Sequence, residues 1–157
     1  MADLVFEGRP VIAGSAEGRA EVSRVSFDTC ASYADVLVVG ADTGICRDRG
    51  NEALFGRDLR GKILCIPQTV GSGSATSLFT TLLEKDIAPG ALCLANHIDA
   101  TAADGLVLAN RWFDRRIVTV DLLGVRFLET VRIGDLVRVY EDGTVEVSHE
   151  PLAKSRP

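Results

Sequence analysis

The stretch Lys62-Ile63-Leu64-Cys65-Ile66-Pro67-Gln68-Thr69-Val70-Gly71-Ser72-Gly73-Ser74, followed at a helix's distance by Ala91-Leu92-Cys93-Leu94-Ala95, decides the fold. Residues 62–66 and 91–95 are continuous apolar runs, the pattern of strands covered on both faces. Pro67 stops the first run. Beyond the small-residue loop, Leu78, Phe79, Leu82 and Leu83 recur at i, i+1, i+4 and i+5, one stripe of a helix ending near Lys85. The segment therefore reads β-loop-α-β, a right-handed crossover between two parallel strands.

Upstream, residues 4–6, 11–13 and 19–25 read as short strands separated by turns at Gly8-Arg9-Pro10 and residues 14–18. Residues 36–39 form another strand-like run, ended by Gly40. Residues 41–60 are rich in charge and turn formers and read as a long surface loop, a kind of segment that often carries function. Downstream, Asp99 is a cap for a short helix over 99–104, residues 105–109 return to apolar character, and 117–122 reads as a strand. Residues 136–140 and 144–147 form a hairpin across Asp142-Gly143. The expectation is one α/β domain over residues 1–150, with β-hairpins around the parallel crossover and a frayed tail at 151–157. The length of 157 residues fits a single core.

Hydrophobic residues at 46% supply that core and argue against a disordered chain. The formal charge of −5 leaves no basic field to gather phosphates, which disfavours nucleic acid or an anionic membrane as the main partner. Aromatics at 6% disfavour a base-stacking platform. No apolar run approaches the roughly 18 residues of a membrane span. The opening residues carry acids where a signal peptide carries its basic region, so the chain reads as cytoplasmic. Cys30, Cys46, Cys65 and Cys93 lack the short spacings of a metal site, and Cys65 and Cys93 sit inside apolar runs. They read as buried structural thiols, and no metal is expected on this chain.

The loop Gly71-Ser72-Gly73-Ser74 lies between a strand's carboxyl end and the next helix, where α/β domains place ligands. Its glycines permit close backbone approach, and the helix start offers free N–H groups to a carboxylate, a phosphate or a developing alkoxide. The plainer reading is an ordinary serine N-cap. The loop lacks the Gly-Lys-Ser/Thr ending of a P-loop and the third glycine of a dinucleotide fingerprint. Asn96-His97 follows the second parallel strand and is a weaker candidate to line the same crevice, the plainer reading of a lone His being a hydrogen-bonded surface or edge residue. His149 reads as a solvated residue near the terminus, and residues 111–116 read as a packing or partner patch. No Ser-His-Asp order, His-Glu-x-x-His or carboxylate pair stands out, so a self-contained hydrolase is not supported.

The order of these segments resembles the small, swivelling-domain subunit of the aconitase X family. The opening Phe6-Glu7-Gly8-Arg9-Pro10-Val11-Ile12-Ala13-Gly14 with Ala16-Glu17-Gly18 carries the resemblance first. Thr43-Gly44-Ile45-Cys46-Arg47-Asp48, Gly56 and Gly61-Lys62-Ile63-Leu64 continue it. Pro67 to Gly71-Ser72, Ile87-Ala88-Pro89-Gly90-Ala91-Leu92 and Ile133-Gly134-Asp135-Leu136-Val137-Arg138-Val139 complete it, so it covers nearly the whole chain to Val147.

The resemblance implies a β/β/α swivelling domain and a two-chain hydro-lyase, active only with a large subunit that holds an iron–sulfur cluster. It also implies that the small subunit supplies a serine base. Carried across, that serine is Ser72, with Gly71, Gly73 and Ser74 binding substrate. The family pattern Arg-Gly-Ser-Thr/Ser is replaced here by Val70-Gly71-Ser72-Gly73, which keeps Ser74 open as the alternative base. The substrate expected first is cis-3-hydroxy-L-proline; the alternatives are 5-phosphomevalonate, or a binding or regulatory swivel module without catalysis. An isopropylmalate isomerase-like subunit ranks last, because no arginine lies between Ser72 and Lys85.

Overall fold

The computed structural model of the chain describes residues 3–71 and 74–149; Ser72, Gly73 and the tail 151–157 lie outside the described residues. The crossover stands as the sequence predicts. Strand β5 (Ile63–Ile66) and strand β7 (Ala91–Leu94) run parallel, with Cys65 opposite Cys93, and helix α3 (Ala75–Glu84) connects them. Alternate residues of both strands face different cores. Leu64, Ile66, Leu92 and Leu94 pack under the helices, whereas Ile63, Cys65, Ala91 and Cys93 face inward among valines and Phe127. Both faces are covered, which is why these runs are apolar at every position.

The sheet grows from this pair. Strands β1 (Leu4–Glu7), β2 (Arg9–Ile12), β3 (Ala16–Val22), β8 (Val118–Asp121), β9 (Leu136–Val139) and β10 (Thr144–Ser148) complete eight strands in the order β1-β10-β9-β3-β5-β7-β8-β2. β3, β5, β7 and β8 are parallel and the remaining pairings antiparallel. The first and last strands of that order are joined by one residue, Gly8, whose N–H donates to Gly143 O at 3.0 Å. The sheet thus rolls back on itself around its inner core. A Cβ on Gly8 would lie 2.5 Å from Val120 Cγ1, so only glycine fits at the junction.

Helix α4 (Ala100–Trp112) packs beside α3 on the outer face, capped by Asp99, which accepts from Ala102 N at 3.1 Å. Two short helices, α1 (Thr29–Ser32) and α2 (Ala34–Val39), follow a two-residue strand β4 (Phe27–Asp28), which pairs in parallel with β6 (Thr69–Val70). Helix α5 (Val125–Thr130) drives Phe127 into the inner core, edge-on to Phe6 with ring centroids 5.4 Å apart. None of the described helices is long and apolar enough to cross a membrane.

Four expectations need correction. Residues 36–39 belong to helix α2, because only Val36 is buried while Val38 and Val39 face outward. The helix begun at Asp99 runs on through Gly105 to Trp112, since Leu106 and Ala109 continue its buried stripe. The early strands do not form hairpins with each other: β1 pairs with β10, and β2 with β8. Arg9-Pro10 is not a turn but the start of β2, an edge strand where proline's missing N–H costs little. The Asp142-Gly143 hairpin stands, and 41–60 is a loop, but not a purely surface one: Cys46, Asn51, Leu54 and Leu59 are buried, and backbone bonds such as Cys46 N to Arg57 O and Leu59 N to Gly44 O hold it together.

Burial also accounts for the cysteines: Cys46, Cys65 and Cys93 are buried free thiols, and Cys30 is half-buried. Burial and the neighbouring Cys93 push the Cys65 thiol up, and burial pushes the Tyr33 phenol up strongly. The folded chain therefore keeps protons that the unfolded chain releases at ordinary values, near 9.0 for cysteine and 10.0 for tyrosine. Stability is full below that range and falls as pH rises through it. Urea unfolding at pH 7.5 and pH 10.5 is expected to show a clearly lower midpoint at the higher pH; equal midpoints would contradict this account.

Candidate functional site at the carboxyl edge of the sheet

Because β3, β5, β7 and β8 are parallel, their carboxyl ends share one edge of the sheet. Antiparallel pairing brings Arg9 to that edge opposite Asp121, and residues 131–135 to it beside β3. Gly71 follows β6 beyond the carboxyl end of β5, and Ser74 opens α3. The entry to the loop is fixed by β6: Phe27 N donates to Gln68 O at 2.8 Å, and Thr69 Oγ1 lies 3.4 Å from Asp99 Oδ1. Of the four residues assigned to the site from sequence, Gly71 and Ser74 are exposed at this position, while Ser72 and Gly73 are not among the described residues.

Ser74 stands at the helix start in a helical conformation (φ −63°, ψ −23°). Its hydroxyl makes no capping bond, and its carbonyl accepts from Leu78 N and Ser77 Oγ instead. The plain cap reading therefore does not describe Ser74. By contrast, the carboxylates of Asp28 and Asp99 do cap α1 and α4.

Beside the loop sits a polar group that spacing did not reveal. Asp121 is fully buried and accepts from Arg9 Nε at 2.9 Å, Arg9 Nη2 at 2.7 Å and Ile98 N at 2.9 Å. The bond to Asp121 holds the Arg9 guanidinium still more firmly in its charged form. His97 lies with Nδ1 2.6 Å from Ile98 O and Nε2 3.2 Å from Arg9 Nη2, which fixes the orientation of its ring. Arg9 was hidden because a glycine and a proline flank it. His149 is half-buried, its Nδ1 2.8 Å from Asp135 Oδ2, rather than solvated. Trp112 in the 111–116 patch is 77% exposed, and Arg115 and Arg116 bond to Asp86 and to Ala13 O.

The aconitase X swivel-domain model matches residues 5–147. The chain belongs to the aconitase X swivel-domain family. Among its relatives, the phosphomevalonate dehydratase small subunit of Aeropyrum pernix is 32% identical over 92% of this chain and 93% of its own. The subunit of the same name from Thermococcus kodakarensis is 30% identical over 92% of this chain and 96% of its own. The crystal structure of Thermococcus kodakaraensis aconitase X, holo-form, superposes with a TM-score of 0.77 at 26% identity, over 93% of this chain and 99% of that one. The solution structure of a UPF0107 protein follows with a TM-score of 0.72 at 25% identity, covering 93% of this chain and all of that one. This aconitase X swivel domain thus spans nearly the whole length of the relatives it matches.

Among the described residues the buried cysteines do not gather into one ligand set for an iron–sulfur cluster. Cys65 and Cys93 face the inner core while Cys46 belongs to the outer one. Among the described residues no three His, Cys, Asp or Glu side chains converge as a ligand set.

Proposed function

We propose that this chain is the small subunit of a two-subunit hydro-lyase that dehydrates 5-phosphomevalonate, with a large subunit supplying the rest of the active site. One observation carries the reading: relatives named phosphomevalonate dehydratase small subunit align along nearly their whole length. They favour the phosphorylated substrate over cis-3-hydroxy-L-proline, which the sequence put first. Any iron–sulfur cluster belongs to the large subunit, and the cytoplasm is the compartment consistent with this reading.

The part assigned to this chain is proton removal. Ser72, or Ser74 two residues along the chain, takes the proton as its alkoxide from the carbon next to the hydroxyl-bearing carbon, and that hydroxyl departs on the large-subunit side. A serine is a poor base in water, so its anion needs donors fixed before the reaction. The start of α3 offers backbone N–H groups and the positive end of a ten-residue helix. The imidazole of His97 and the Asp121-clamped guanidinium of Arg9 stand on the same edge.

Reconstitution with the cognate large subunit tests the proposal, with 5-phosphomevalonate and cis-3-hydroxy-L-proline assayed side by side. Turnover of the phosphorylated acid is expected. Turnover of hydroxyproline alone would reassign the substrate, and turnover of neither would favour a binding module.

A further inference from the structure

A cleft of about 730 Å³ opens on the carboxyl edge, beside the end of β3. Its walls are apolar, built from Val22, Val25, Val131 and Ile133, and its charged residues are Arg24, Arg49, Arg132 and a single acid, Glu52. A cationic cleft on a chain of net charge −5 calls for a specific anion. Six arginines elsewhere, Arg9, Arg47, Arg57, Arg60, Arg115 and Arg138, each pair with a carboxylate. The three at the cleft do not, among the described residues. Arg24 Nη1 donates to Leu128 O at 2.7 Å, and Arg49 lies over the Phe55 ring at 5.8 Å. Below them Asn51 is fully buried, with Oδ1 accepting from Ser23 Oγ at 2.9 Å and Nδ2 left with no acceptor in the fold. A buried donor without a partner is rare enough to need a reason.

The cleft and the loop are joined by backbone. Residues 23–25 of its wall run into β4, whose partner β6 leads directly into Gly71. From Val25 the chain enters β4 two residues on, and β6 ends at Val70, the residue before Gly71.

We propose that this cleft holds the phosphate of the substrate, gripped by Arg24, Arg49 and Arg132 and reaching toward the Asn51 amide. The inference rests on the dehydratase reading and adds where on this chain the phosphate goes. Guanidinium forks match phosphate oxygens two at a time, and a dianion is the ligand that unpaired arginines select. The apolar walls suit the hydrocarbon chain between the phosphate and the reacting carbons.

The test uses the complex reconstituted with the large subunit, comparing wild type with the double variant Arg49→Ala/Arg132→Ala. Both side chains are exposed and carry no ion pair, and Arg24 is kept because it also braces Leu128 O. Calorimetric titration with inorganic phosphate is expected to show binding weakened about tenfold or more in the variant. KM for 5-phosphomevalonate is expected to rise by a similar factor, with kcat changed less than about threefold. Unchanged phosphate affinity and KM would overturn the proposal. So would loss of subunit assembly, which would mark the arginines as docking residues for an acidic segment of the large subunit. If the wild-type complex does not turn over 5-phosphomevalonate, the substrate reading fails, yet the phosphate titration still decides the cleft. Binding lost in the variant keeps a phosphate site there, and binding absent or equal in both removes it.

Discussion

In the reconstituted complex, Ser72→Ala is expected to lower kcat by about 10²–10⁴-fold, the usual contribution of a positioned general base. Binding should change little, because the hydroxyl acts on a proton that moves only in the transition state. Ser74→Ala is the companion variant and should stay within a few-fold of wild type. A reversed pattern would place the base at Ser74, where the hydroxyl is exposed and free of any capping bond. If neither substitution slows turnover, the serine base is wrong. A cap lost at the helix start costs about 1 kcal/mol of stability, which the unfolding midpoint would register and a drop in kcat at constant midpoint would exclude.

The second large effect concerns stability. Phe127→Ala is expected to cost about 3–5 kcal/mol, the range for emptying a fully buried aromatic site. At this chain length that corresponds to a Tm lowered by roughly 10 °C. The inner face around Phe127 is lined by small and β-branched side chains on fixed strands, among them Ala20, Cys65, Cys93, Val137 and Val145. None of them can extend into the vacated volume. Phe127→Leu should lose less than half as much. A thermal scan of the two variants decides the matter, and a Tm unchanged in Phe127→Ala would show that α5 is not part of the cooperative core.

The contrast between these residues shows what the chain displays locally and what only folding assembles. The crossover over 62–95 was legible because both faces of β5 and β7 are covered, leaving an apolar run that periodicity cannot obscure. The Asp142-Gly143 turn was legible because its residue types are nearly specific to hairpins. Helix α2 was not, because its run of β-branched residues mimics a strand; the informative signal was Gly40, which ends it at φ 65°. Helix α5 is only six residues long, too short for a period to declare itself. The loop of the candidate site could be read because its composition is local. The cleft could not, since positions 24, 49 and 132 meet only when β9 lies along β3 and the long loop folds back over that edge.

The junction at Gly8 has a bearing on which edges of the sheet are open to other chains. An open sheet ends in strands whose spare amides and carbonyls recruit other chains. Here both terminal strands are four residues long, they belong to one continuous stretch of chain, and the β2 side carries Pro10 and a register break before Ile12. Little unpaired backbone is left for a stranger to extend. Edges this short and interrupted disfavour strand-to-strand pairing between copies of the chain and leave the carboxyl edge of the sheet as the surface open to contact.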